Sequence, residues 1–304
     1  MSVKNDGGFF LESEALKRFL IFAAIIVLCF SIPLYHFVKY ASQHDLHSHC
    51  VLIPLVTIYL LWTSSSFRNS GSEKSLRSGL GVTGIGVGLA VYLISPISGD
   101  LLEGDRISWW VFSFLLCLVG AFIFCFGWKV LKSEKFPIGF LFFTVPLLHF
   151  AAEWLEVILM VCSAVASHWF FDLFSVPAIR EGQIIEIPGI VLEVARECSG
   201  IRSTWVLFIT STLAAYLFLR HPLHRVLLVC LVFPLGVFRN ALRILVIGKL
   251  CVSKGPEMID SWIHREGGPI FFGVSLIPLF TILGVFFLLE KRKATEREAF
   301  IEKA

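Results

Sequence analysis

The chain has 304 residues, of which 56% are hydrophobic and only 16% charged; thirty are phenylalanines and the mean hydropathy is +0.80. A soluble domain does not carry that much apolar surface, so the composition describes a polytopic membrane protein. The net charge of +3 is small and spread over short loops, which excludes a nucleic-acid partner and leaves membrane orientation as what the charge reports.

In chain order, apolar runs predict membrane spans near 17–39, 50–66, 79–97, 108–128, 136–151, 203–219, 225–248 and 269–290, each near the length a bilayer needs. The first run is too long for a cleaved leader and lacks a small-residue cleavage site, so it reads as a retained anchor. With eight crossings, Lys17 and Arg18, then Arg68, Lys74 and Arg77, then Lys129, Lys132 and Lys135, then Arg220 and Arg225, and finally Lys291, Arg292 and Lys293 all share one face. Basic residues prefer the cytoplasm, so both termini are expected there, with 291–304 a short charged tail on a single membrane-embedded domain spanning 1–304. The opposite, extracytoplasmic face receives Ser42–His49, the acidic Gly99–Arg106 loop, the stretch around Cys198 and the loop from Gly255 to Gly268.

Glu153–Phe174 is apolar enough to span, yet a ninth crossing would exchange the sides of Cys198 and the Arg220 loop. Its Glu153, Trp154, Glu156, His168 and Trp169 suit a helix at headgroup level, or a re-entrant hairpin. Ile179–Glu197 then turns to period-two alternation. Gly182, Pro188 and Gly189 act as turn signals around Gln183–Ile187 and Ile190–Val194, which predicts a small hairpin whose edge could take an extended peptide by strand addition. The expected fold class is an all-α polytopic membrane protein of about eight transmembrane helices, with a small extracytoplasmic β-like hairpin and an interfacial helix before Cys198.

The chemistry concentrates at a few polar interruptions. Cys29, Cys117, Cys125, Cys162 and Cys230 lie inside apolar runs and read as packing; Cys50, Cys198 and Cys251 lie near polar edges. Cys198 sits between Arg196 and Arg202 just ahead of a helix start, where positive charge and the helix dipole favour a nucleophilic thiolate. Ser199 and Ser203 lack such activation. Glu197 either orients Arg202 or Arg243 or is a solvated carboxylate.

Arg239, Asn240 and Arg243 fall near the outer end of the seventh span. Asn240 and Arg243 stand three apart on one helical face and can line one polar cavity; an arginine at this depth is a functional candidate, against the plainer reading of a side chain snorkelling from a helix end. His264 is the one histidine after Arg225 and could exchange a proton near neutrality. Cys198, Arg243 and His264 map to the same side of the bilayer, as a nucleophile, an anion stabiliser and a base require.

Other patterns carry less. Gly79-x-Gly81-x-x-Gly84 matches a dinucleotide fingerprint in form, but it lies in a span with no strand before it, and with Gly84-x-x-x-Gly88 it reads as close helix packing. His44, Asp45, His47 and His49 have metal-compatible spacing, yet read as an interfacial histidine-rich loop. His221 and His224 are expected to be solvated on the cytoplasmic side.

The Cys198-Ser-Gly-Ile-Arg-Ser203 run, Asn240-x-x-Arg243-Ile244, and His264 followed by glycines resemble the exosortase/archaeosortase family. So does Ser48-His49-Cys50-Val-Leu-Ile-Pro54 with Tyr59 and Trp62, where Cys50 takes the place of the family's usual glycine beside His49. The resemblance implies a multi-pass cysteine transpeptidase of the cytoplasmic membrane. It would act on exported proteins ending in a short motif, a transmembrane helix and a basic tail. Cys198 would form a thioester, Arg243 and His264 would match the family's arginine and histidine, and Arg202, Arg239, Asn240, Glu197 and His49 would support them. No cofactor and no metal are implied; the partners are the exported substrates, membrane lipid and exopolysaccharide machinery. Two rivals remain: a transporter or polysaccharide-export subunit holding an anionic lipid or sugar phosphate at Asn240 and Arg243, and a non-covalent acyltransferase or hydrolase using His264.

Overall fold

The computed structural model describes residues 14–64, 67, 76–95, 99, 101–188, 190–194, 199–255, 257–258, 262 and 267–303. These form two compact units, 1–151 and 152–304. The helix His149–Leu173 runs across the boundary.

In the first unit, α1 (Glu14–Cys29) and α2 (Ser31–Gln43) meet at an angle of 74°. The straight span expected over 17–39 is therefore broken. Pro33 lies in the first turn of α2, where its missing N–H costs nothing, and its ring would clash with the Cys29 carbonyl of a continuous helix. Phe30 fills the corner, edge-on to Trp110. A 3₁₀ turn (Asp45–Val51) leads into α3 (Ile53–Thr63), followed by α4 (Leu76–Ile94) and α5 (Glu103–Phe126). The short α6 (Trp128–Ser133) and α7 (Lys135–Leu141) come next.

Glycines bring α4 and α5 backbone to backbone, but not all the expected ones. A Cβ on Gly79 would lie 2.9 Å from the Gly120 carbonyl, one on Gly86 2.9 Å from the Ser113 carbonyl, and one on Gly120 2.7 Å from the Thr83 nitrogen. Gly84 and Gly88, read from sequence as a packing pair, face open space. The contact face follows Gly79 and Gly86, seven residues or two turns apart, and Ser113 locks it by donating to the Gly86 carbonyl at 2.7 Å.

The second unit contains most of α8 (His149–Leu173), three strands, α9 (Ile201–Phe218), α10 (Pro222–Cys230), α11 (Val232–Lys254) and α12 (Gly268–Lys303). Where a two-stranded hairpin was expected, the chain forms a three-stranded antiparallel meander: β1 (Ile179–Glu181), β2 (Ile184–Ile187) and β3 (Ile190–Glu193). Gly182, at φ +62°, makes the turn that adds β1, pairing Ile179 with Glu186. Alternation buries Ile185, Ile187 and Leu192 against Met160, Ala164 and Phe171 of α8 and Ile244 and Leu245 of α11. A Cβ on Gly248 of α11 would meet the Phe171 ring at 2.6 Å, so this glycine sets how closely α11 approaches α8.

Six helical stretches among the described residues are long and apolar enough to cross a membrane: Leu46–Thr63, Glu103–Phe126, His149–Leu173, Ile201–Phe218, Pro222–Lys254 and Gly268–Glu296. The bent α1–α2 pair makes a seventh. The eight expected are thus not all present at full length, because Ser78–Ile94 and Lys135–Thr144 fall short. The segment read as an interfacial helix or a re-entrant hairpin is one continuous helix of 25 residues, about 37 Å long, which removes the hairpin and is long and apolar enough to cross. Its Leu159, Ser163, Ala164, Ser167 and Phe171 are buried. Many large apolar side chains point outward, among them Leu28, Ile32, Ile85, Ile94 and Ile277, as in a protein whose solvent is lipid.

At the far end of α9, Glu290 of α12 accepts from the backbone N–H of Arg220 (2.6 Å) and His221 (3.0 Å) and pairs with His224 Nδ1 at 2.7 Å. The His224 ring stacks on Phe286 with centroids 4.8 Å apart. His224 is therefore a packed corner residue and not the solvated one expected, since Glu290 lies 66 positions away and is invisible to local reading.

Candidate functional site

The site is organised around the start of α9. Gly200 precedes the helix in the left-handed conformation (φ +72°, ψ 14°) and no side chain caps it. Its carbonyl accepts the Thr204 N–H at 3.0 Å and the Ser203 hydroxyl at 3.1 Å. Ser199 is buried; its hydroxyl accepts from the Ile201 N–H at 3.4 Å and donates to Glu156 of α8 at 3.5 Å.

Arg239 and Asn240 approach the same turn from α11. The Arg239 guanidinium donates through Nη2 to the Gly200 carbonyl (3.1 Å) and to the Thr204 hydroxyl (3.2 Å). Asn240 is 2% exposed, and its side-chain carbon would lie 3.4 Å from a Cβ built on Gly200. Gly236 allows this approach: a Cβ there would meet the Thr204 hydroxyl at 2.5 Å. These five residues form one knot in which a bare backbone at two points admits a buried guanidinium and a carboxamide.

Arg243, one turn after Arg239, is half-buried on the same helix and electrostatically coupled to it. Arg202 is exposed on the first turn of α9. His49 is half-buried in the 3₁₀ turn of the first unit, its Nε2 lying 3.5 Å from the Cys50 sulfur and its Nδ1 without a hydrogen-bond partner. Glu197, Cys198 and His264 lie outside the described residues. Of the expected set, the structure thus brings Arg239 and Asn240 onto the Gly200 turn.

Thr204, Gly236 and Glu156 are parts of this arrangement that sequence reading did not single out for it. Thr204 had one available signal, its place one turn after the glycine that starts α9; Gly236 stands one turn before Asn240. Glu156 was read as a headgroup-level residue because the helix carrying it was laid flat.

The seven described cysteines are all free thiols. Cys50 and Cys251, read as edge residues, are buried, whereas Cys29, Cys162 and Cys230, read as packing between helices, are exposed on the apolar surface. Among the described residues, no group of three or more His, Cys, Asp and Glu side chains is placed to hold a metal ion.

A family model for transmembrane exosortases matches residues 41–281, more than three-quarters of the chain. The protein belongs to the transmembrane exosortase family. No curated protein and no solved structure gives a significant match.

Proposed function

We propose that this protein is a membrane-embedded cysteine transpeptidase that cleaves C-terminal sorting signals of exported proteins on the extracytoplasmic face of the cytoplasmic membrane. The observation that carries the reading is the convergence of Arg239 and Asn240 on Gly200, two residues after Cys198 in the chain and at the positive end of an 18-residue helix. Family membership supports the reaction class.

The Cys198 thiolate attacks the carbonyl carbon of the scissile peptide bond. Negative charge passes to the carbonyl oxygen, where Arg243 stabilises it, and the C–N bond breaks as His264 donates a proton to the departing amine. A thioester to the upstream part of the substrate remains, and an amine or water then takes the acyl group and frees the thiol.

The test is co-expression with a secreted protein carrying a short motif, an apolar helix and a basic tail from the same genome. Cys198→Ser and Arg243→Ala are expected to abolish its processing while membrane insertion is retained. Processing that persists in Cys198→Ser would overturn the thioester mechanism, and an intact transport phenotype in Cys198→Ala would favour an anion-binding transporter.

A further inference from the structure

The β meander buries one face against α8 and α11 and leaves the other bare. Register sets the bare face out in two cross-strand rows: Ile179, Glu186 and Val191 in one, Glu181, Ile184 and Glu193 in the other. All six side chains are exposed, Ile179 at 64%, Ile184 at 40% and Val191 at 59%. Each glutamate is thus flanked across the strands by aliphatic side chains, in a checkerboard, and diagonal carboxylates stand about 7–8 Å apart. Among the described residues no cation pairs with any of the three. Arg180, the one basic residue of the strands, lies opposite the buried Ile185, on the other face, and donates to the Gly182 carbonyl at 2.7 Å. The sheet therefore presents open aliphatic surface and uncompensated negative charge interleaved at one place.

Charge decides what such a face takes. A second copy presenting the same face would bring six carboxylates together, and anionic lipid headgroups would meet three. A peptide segment that lays aliphatic side chains on Ile179, Ile184 and Val191, with lysine or arginine between them, satisfies both halves of the pattern. We propose that this face docks a cationic, aliphatic segment of the exported substrate, upstream of its sorting motif. The part of the substrate after the motif enters the membrane, so the part free to reach an exposed sheet lies before it. The sheet is well placed to select substrates: its buried face packs on α11, which carries Arg239 and Asn240, and six residues lead from Val194 to Gly200, a reach of at most about 21 Å. Naming the substrate as the occupant rests on the transpeptidase reading; the preference of the face for a cationic segment does not.

The experiment has two arms. The first is fluorescence anisotropy of two short labelled peptides, one alternating lysine with valine and one alternating glutamate with valine, on full-length protein in phosphatidylcholine nanodiscs, with empty nanodiscs as the blank. The lysine peptide is expected to bind above the blank, less tightly as salt is raised, and the glutamate peptide is not. Glu181→Lys, Glu186→Lys and Glu193→Lys together should weaken the lysine peptide about tenfold or more and confer binding of the glutamate peptide, a gain that an unfolded sheet would not produce. The corresponding triple change to glutamine carries the test if that variant accumulates poorly. Equal affinity of the wild type for both peptides, or undiminished binding of the lysine peptide by either triple variant, would overturn the proposal. In the second arm, processing of a tailed substrate with lysines before its motif should slow in the triple lysine variant and recover when those lysines are exchanged for glutamates; processing indifferent to both exchanges would overturn the assignment to the substrate. The peptide arm needs neither Cys198 nor turnover, so it separates the two readings: charge-selective binding with processing retained in Cys198→Ser would keep the docking face and remove the thioester mechanism.

Discussion

Gly200 and Gly182 offer a matched pair for weighing the guanidinium clamp. Both have positive φ, +72° and +62°. Any L-residue with a Cβ loses about 1–2 kcal/mol in that conformation. Around Gly182 a Cβ meets nothing within 4 Å, whereas at Gly200 it would stand 2.8 Å from Arg239 Nη2. Gly182→Ala should therefore cost about 1–2 kcal/mol and nothing further. Gly200→Ala must also displace a guanidinium from its two acceptors, and hydrogen bonds to charged groups contribute about 1.5–3 kcal/mol, so its total should be about 3 kcal/mol or more. Asparagine sharpens the comparison, because it tolerates the left-handed region but is larger than alanine. Gly182→Asn should be nearly neutral and Gly200→Asn as damaging as Gly200→Ala. Unfolding of each variant by titrating sodium dodecyl sulfate into mixed micelles, followed by tryptophan fluorescence, reads the difference. Equal losses at the two glycines would refute the argument that Arg239 closes on the Gly200 backbone.

Two further pairs test the packing. Gly86→Ala would drive a Cβ to 2.7 Å from the Cys117 sulfur and 2.9 Å from the Ser113 carbonyl. It should cost about 1–3 kcal/mol by overpacking, while Gly84→Ala, facing open space, should gain about 0.5–1 kcal/mol from helix propensity; the same titration measures both, and the reverse order would place the α4–α5 contact on the other face. Glu290→Ala should cost about 1–3 kcal/mol by removing the acceptor shared by Arg220, His221 and His224, whereas Glu290→Gln, which keeps an acceptor oxygen, should lose less. Faster proteolysis at the α9–α10 corner in the alanine variant alone is the expected signature.

Hydropathy determined the class of this protein, because a bilayer admits few ways to bury long apolar runs, and the resemblance carried by Cys198, Asn240-x-x-Arg243 and His264 pointed to the family whose model covers 41–281. Sequence alternation also located the β region, although the third strand escaped notice: Ile179–Glu181 pairs through backbone hydrogen bonds and has no apolar face to advertise it. Which glycines touch, what the buried Arg239 meets and where a histidine finds its acid were not legible. Gly84 and Gly86 differ only in the helical face that α5 happens to cover, and His224 meets a carboxylate from a helix 66 residues further on. Likewise the sequence puts Arg239 and Arg243 one turn apart on one helix, and the resemblance gives the chemistry to Arg243 and a supporting part to Arg239. Only the close approach of α11 to α9 at Gly236 and Thr204 decides that Arg239 reaches the Gly200 carbonyl, because a side chain's partners depend on the neighbouring helix and not on its own periodicity.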